Sequence, residues 1–191
     1  ILCVASIQYR KGIFEFVQTA KKMPEYNFVW VGNIPNLPYL KNKGEINELV
    51  RNSKRTNLIF TGALYKKDLA CAYSMCDLFW LPSFSETFGL VIIEAASFGK
   101  PVLIRNIPVK ELFKRFAQTY SSIPDEKIIK ILEDKKFSKK ISKANSKTLK
   151  KFLNCRDNCW KLSNCKVFLA IREILLYSNH AKGSPKALAT I

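Results

Sequence analysis

The sequence predicts an α/β fold: a Rossmann-like parallel sheet with helices on both faces, followed by C-terminal helices. Three observations carry this. Short apolar runs alternate with segments of helical spacing over residues 1–105, in the order β-α-β-α-β-α-β-α-β. Glycine or proline follows the apolar runs at Gly32, Gly62 and Pro82. Finally, 48% of the 191 residues are hydrophobic, enough for one good core, yet no run of 18 apolar residues exists that would span a bilayer.

Residues 1–7 read as the first strand. A turn over 8–12 leads to a helix over 13–22 with Phe14, Val17 and Ala20 facing inward, ended by Pro24. Residues 28–31 are the second strand; Pro35 and Pro38 make 33–42 a loop, and 45–51 is a short helix. Residues 57–61 are the third strand, and 66–75 a helix with Leu69, Ala70 and Tyr73 as its core face. Asp77 stands as a cap or turn residue before the fourth strand, 78–81, whose unbroken apolar run suits a strand covered on both faces. Tyr9, Trp30, Phe79 and Trp80 read as core aromatics. Gly89 opens a helix with Leu90, Ile93, Ala96 and Ser97 at helical spacing; Gly99 and Pro101 stop it, and 102–104 is the fifth strand.

Past Arg105 the pattern weakens. Residues 116–122 offer only a shortened further strand, and 124–135 is a helix. A second helix over 138–153 has Ile141, Ala144, Thr148, Leu149 and Phe152 on one side and Lys139, Lys140, Lys143, Lys147, Lys150 and Lys151 on the other. Residues 160–177 form a last helix. The expected division is a Rossmann-like domain over 1–134, helices packed on it over 135–180, and a tail over 181–191. Residue 1 is not methionine and begins a core strand, so the natural start is expected upstream.

Glu86 falls in the loop before the fourth helix, and Glu94 about one turn inside that helix. The free N–H groups around Phe88, Gly89 and Leu90 would point toward the carboxyl edge of the sheet, where the orphan donors and the helix dipole favour an anion. Gly89 lets a ligand come close to the backbone. Arg10 and Lys11 follow the first strand at the same edge, and suit a diphosphate by a forked contact and a point charge respectively. A diphosphate with a hydroxyl-rich group at each end, the shape of a sugar nucleotide, would meet a carboxylate at both ends. No G-x-G-x-x-G occurs, so the dinucleotide fingerprint is absent.

The stretch Glu86-Thr-Phe-Gly-Leu-Val-Ile-Ile-Glu94 is an E-x7-E motif, followed by Ala95-Ala96-Ser97-Phe98-Gly99-Lys100-Pro101-Val102. It resembles the C-terminal, donor-binding domain of retaining GT-B glycosyltransferases of family 4, also called group 1. The resemblance covers residues 1–112 and is thin beyond; Asn106-Ile107-Pro108-Val109-Lys110-Glu111 is similar to the glycolipid-synthesising branch. It implies one half of a GT-B fold. Glu86 would be the catalytic-site carboxylate beside the donor sugar, Glu94 would hold the ribose, and the amides of Phe88, Gly89 and Leu90 would meet the diphosphate. Lys11 would bind that diphosphate too. Ser6 stands where many members carry arginine, a departure for which Arg10 could substitute. Gly62, Ala63 and Leu64 would neighbour the base. The implied reaction moves a sugar from a nucleotide-sugar donor, taken as UDP-linked, to an acceptor with retention, without cofactor or metal. The implied partner is an acceptor-binding N-terminal domain or a separate subunit, without which the chain would bind donor but turn over nothing.

The formal charge is +17, from 32 basic and 15 acidic residues, which favours anions: a nucleotide diphosphate, an anionic bilayer or nucleic acid. No RNP, zinc-finger or helix-turn-helix signature supports a nucleic-acid module. The Lys-rich helix suits peripheral attachment to the inner face of a cell membrane, against the simpler reading of a solvated face. Of six cysteines, Cys3 and Cys71 read as buried thiols; Cys155, Cys159 and Cys165 lack a fourth metal ligand, and His180 reads as solvated in a polar tail. A reducing cytoplasm fits this usage. A non-catalytic partner subunit or a truncated remnant keeping the fold is the alternative to an enzyme half.

Overall fold

A strand with no polar residue must be covered on both faces, and the sheet is centred on two such strands, β1 (Leu2–Val4) and β4 (Phe79–Leu81). The structure is a computed structural model that describes residues 1–53, 56–114 and 117–153, with side chains described to residue 145. The expected helix over 160–177, the tail, His180 and the three C-terminal cysteines lie outside the described residues, as do the side chains of Lys147, Lys150 and Lys151.

The remaining elements are a 3-10 turn (Tyr9–Lys11), α1 (Ile13–Lys22), β2 (Phe28–Val31), α2 (Lys43–Asn52), β3 (Leu58–Gly62), α3 (Lys66–Met75), α4 (Leu90–Ser97), β5 (Val102–Arg105), α5 (Lys110–Phe113), β6 (Ala117–Tyr120), α6 (Asp125–Glu133) and α7 (Lys135–Leu153). The six strands are all parallel, in the order β3-β2-β1-β4-β5-β6. This is the Rossmann-like α/β fold the sequence predicts. The chain winds outward from β1 to β3, returns, and winds the other way from β4 to β6, so the switch point lies between β1 and β4. Loops leaving adjacent strands part there and leave a crevice at the carboxyl edge.

Phe16 is the hub of the core. Its ring stacks on Trp80 at 5.2 Å and meets Trp30 and Phe28 edge-on at 5.1 and 5.3 Å. All four are fully buried, each contributing about 1.5–3 kcal/mol by removal from water. Trp30 also donates its indole N–H to the Ala5 carbonyl at 2.7 Å. The Asn57 amide reaches the carbonyls of Ala20, Met23 and Tyr26 at 2.9, 2.9 and 2.8 Å, tying the end of α1 to the start of β3.

Several expectations need correction. α1 buries Ile13, Phe16, Val17 and Ala20, while Phe14 is half-buried, because the helix is turned to send Phe16 between the two tryptophans. α4 buries Ile92, Ile93, Ala95 and Ala96, leaving Leu90 and Ser97 half-buried. In α7 the buried residue beside Ile141 is Asn145, not the exposed Ala144; its amide donates to the Lys100 carbonyl at 2.6 Å, so a polar contact sets the face. Cys71 is half-buried, unlike Cys3. Tyr9 is 39% exposed rather than core, since it sits in the turn beyond the sheet edge.

Candidate functional site

Gly12 is where the two central loops meet. Its φ of 80° is left-handed, and a Cβ there would lie 2.3 Å from the Pro82 carbonyl oxygen, so only glycine lets the turn after β1 close on the loop after β4. Three hydrogen bonds then stitch the loops together. The Phe84 amide donates to the Arg10 carbonyl at 2.9 Å, the buried Ser83 hydroxyl reaches the Arg10 carbonyl at 3.2 Å, and the Arg10 guanidinium donates to the Ser85 carbonyl at 2.9 Å.

Within this frame the Lys11 ammonium faces both carboxylate oxygens of Glu86, at 2.6 and 2.8 Å. The two side chains are 14% and 7% exposed. One lysine proton donor remains for a further acceptor. Residues 75 positions apart thus form one charged pair at the mouth of the crevice.

Glu86 leads directly into α4. Gly89 caps that helix in the left-handed region at φ 67°, and the N–H groups of Phe88, Gly89 and Leu90 meet no acceptor among the described residues. Phe88 is exposed. Glu94 lies further along α4, half-buried, and accepts a hydrogen bond from the Tyr73 hydroxyl at 2.7 Å. Burial pushes the Glu94 carboxyl up from its ordinary value, and the Tyr73 hydrogen bond acts against that shift. Burial, followed by the neighbouring Glu94 charge, holds the Tyr73 phenol well above its usual range.

Gly62, Ala63 and Leu64 end β3 at the same sheet edge, two strands away from β1. Gly62 has a φ of 74°, and the Ala63 amide donates to the Asn33 side chain at 3.0 Å, which fixes the loop against the turn after β2. The structure therefore brings Arg10, Lys11 and Glu86 into one contact network, places the β3 loop apart from it on the same edge, and sets Glu94 within α4 against Tyr73. Ser6 accepts a hydrogen bond from Gln8 at 2.5 Å.

Two features escaped the sequence reading. Tyr73 reads as core by its spacing and is buried, yet its hydroxyl is committed to Glu94. Arg105 pairs with Glu15 across from α1 and lies over the rings of Phe84 at 4.2 Å and Tyr120 at 5.2 Å. Beside it is a cavity of about 320 Å³ lined in part by Tyr9, Phe14, Gln18 and Ser122. Tyr9 stacks on Phe84 at 5.7 Å, and Lys41 sits over the Tyr9 ring at 4.0 Å. Nothing in local spacing marks the partners of Arg105 or Tyr73, since each finds its partner only through the tertiary fold. Among the described residues no three His, Cys, Asp or Glu side chains come together as a metal site, and no helix is long and apolar enough to cross a membrane.

The family model for glycosyl transferases group 1 matches residues 1–148. The chain belongs to the group 1 glycosyltransferases. It is 31% identical over 107 residues to alpha-galactosylglucosyldiacylglycerol synthase of Streptococcus pneumoniae, covering 56% of this chain and 28% of that protein. It is 33% identical over 109 residues to the processive diacylglycerol alpha-glucosyltransferase of Acholeplasma laidlawii, covering 57% of this chain and 32% of that one. The chain thus matches only about a third of the length of these curated relatives. Among solved structures it is similar to the C-terminal domain of a group 1 glycosyltransferase, LpcC, from Francisella tularensis. That match has a TM-score of 0.64 and 19% identity, over 78% of this chain and 84% of that one. The sheet of this group 1 glycosyltransferase is accordingly that of a GT-B C-terminal domain.

Proposed function

We propose that the chain is the donor-binding half of a glycosyltransferase that moves a sugar from a UDP-linked donor to an acceptor with retention of configuration. The observation that carries this is the Lys11–Glu86 pair at the switch point, directly before the open start of α4, with Glu94 on the same helix. In this reading the diphosphate lies against the amides of Phe88, Gly89 and Leu90 and takes the remaining donor of Lys11, with Arg10 beside it. These fixed donors stabilise charge on the leaving diphosphate. Glu86 orients the sugar and Glu94 accepts from the ribose hydroxyls. Gly62, Ala63 and Leu64 lie beside the base.

The acceptor side comes from a further domain or subunit, in keeping with the greater length of the relatives. Their names specify diacylglycerol glycolipids, which supports a lipid acceptor here. The charge of +17 and the exposed Lys139, Lys140 and Lys143 on α7 favour peripheral attachment at the cytoplasmic face of a membrane.

Two variants test the division of roles. Glu94→Ala is expected to weaken UDP by about 1–3 kcal/mol, the loss of a charged hydrogen bond. Glu86→Ala is expected to weaken UDP-glucose more than UDP, because the sugar contact is lost in addition to any change at Lys11. Equal losses for both ligands in both variants would refute the assignment.

A further inference from the structure

We infer that Tyr73 is a positioning residue for this site: its hydroxyl fixes the orientation of the Glu94 carboxylate so that the other carboxylate oxygen is presented to the ligand. The inference rests on the donor reading above for what that ligand is, and on geometry for the rest.

Tyr73 is 1% exposed on α3. Its ring stacks on Phe98 at 5.5 Å and meets Phe79 at 5.9 Å, which locks its orientation. A phenylalanine would fill the same space, so packing alone does not call for the hydroxyl. That hydroxyl donates to Glu94 Oε2 at 2.7 Å. Glu94 is half-buried, and its Oε1 takes no hydrogen bond from a described residue and is not among the sealed-off atoms left without one, so it is open to a further donor. The backbone at Glu94 is fixed as well: its carbonyl accepts from the Ser97 hydroxyl at 2.6 Å and the Phe98 amide at 3.3 Å. One carboxylate oxygen is thus anchored to the core, and the other is left open on a rigid helix.

Burial pushes the carboxyl toward protonation, and the hydrogen bond acts against that shift by favouring the charged form. A ribose hydroxyl donates more strongly to a carboxylate than to the neutral acid, so affinity should rise with pH through the titration of Glu94. Loss of the Tyr73 hydroxyl should move that rise to higher pH. Among the described residues no other charged group offsets the effect. α4 packs on β4, β5 and α7. β4 brings Phe79, Trp80 and Leu81; the charged residue of β5, Arg105, is committed to Glu15; and α7 brings Ile141 and Asn145, with Lys139, Lys140 and Lys143 exposed. On the α3 side, Lys100 is bonded to the Ser74 carbonyl at 2.7 Å, and burial holds the Cys76 thiol up at about 11.

The test compares the native chain with Tyr73→Phe, Glu94→Gln and the double variant. The Glu94 carboxyl carbon is titrated by NMR without ligand, and UDP-glucose affinity is measured by calorimetry across pH. UDP-glucose is the probe because its diphosphate, esterified at both ends, carries no proton that titrates near neutrality. Tyr73→Phe is expected to raise the Glu94 midpoint, to weaken UDP-glucose roughly fivefold at neutral pH, and to move its pH profile upward. In the Glu94→Gln background the same change should leave the pH profile where it is. A folded Tyr73→Phe protein that matches the native one in both readouts, while Glu94→Gln loses UDP-glucose, overturns the inference and leaves the donor reading standing. Absence of UDP-glucose binding by the native chain instead defeats the donor reading and the ligand-presenting role with it; the carboxyl titration still reports whether Tyr73 governs Glu94.

Discussion

Lys11 and Glu86 face one another with little water around them, so each is the other's hydrogen-bond partner in a mostly buried place. Removing one partner leaves a desolvated charge, which costs more than the pair contributes. Lys11→Met is therefore expected to destabilise the fold by about 1–3 kcal/mol in urea unfolding, and Glu86→Gln in that background should recover part of the loss. Unchanged stability in Lys11→Met would mean that the pair is not held as the structure has it. Both residues were legible in the sequence, Lys11 from its turn after a strand and Glu86 from its spacing to Glu94. Their contact with one another was not, because a separation of 75 positions hides it until β1 and β4 become neighbours. Tyr73 was legible as core by its helical spacing, but a hydroxyl's partner leaves no periodic trace.

Among the elements, those with an unambiguous apolar run came through with nearly correct bounds: β2 and α3 match the expected ranges, and β4 differs by one residue. The facing of α1 was harder, since Ile13, Phe14, Phe16, Val17 and Ala20 offer more apolar positions than one stripe can bury, and the tryptophans of β2 and β4 decide among them. α5 is a single turn, too short for periodicity. β6 is a four-residue edge strand whose burial does not alternate cleanly, so it read only as a shortened strand. The turn between β1 and α1 has the sharpest local requirement. Gly12→Ala is expected to destabilise by about 2–5 kcal/mol, combining left-handed strain with backbone overlap at Pro82. Gly44→Ala in α2, where an added Cβ meets nothing within 4 Å, should instead stabilise by about 0.5–1 kcal/mol. Thermal unfolding of the two variants separates these signs; a neutral Gly12→Ala would contradict the close approach of the loops.

At the scale of the molecule, the excess positive charge calls for an anionic counterpart, and two are proposed: a diphosphate at the switch point and a membrane under α7. For the membrane, the chain is expected to co-sediment with phosphatidylglycerol vesicles at low salt, hardly with neutral vesicles, and to be released by about 0.5 M salt as exposed charges are screened. Replacing Lys139, Lys140, Lys143, Lys147, Lys150 and Lys151 with glutamine should abolish sedimentation and spare nucleotide binding. Equal binding to neutral vesicles would reduce that face to solvated surface. The central claim is the nucleotide site itself, and calorimetry of the 191-residue chain with UDP tests it most directly. UDP is expected to bind, more tightly than uridine, with affinity that falls as salt rises because cations hold the phosphates. Folded protein that gives no heat with millimolar UDP, or that binds uridine equally well, would contradict the account.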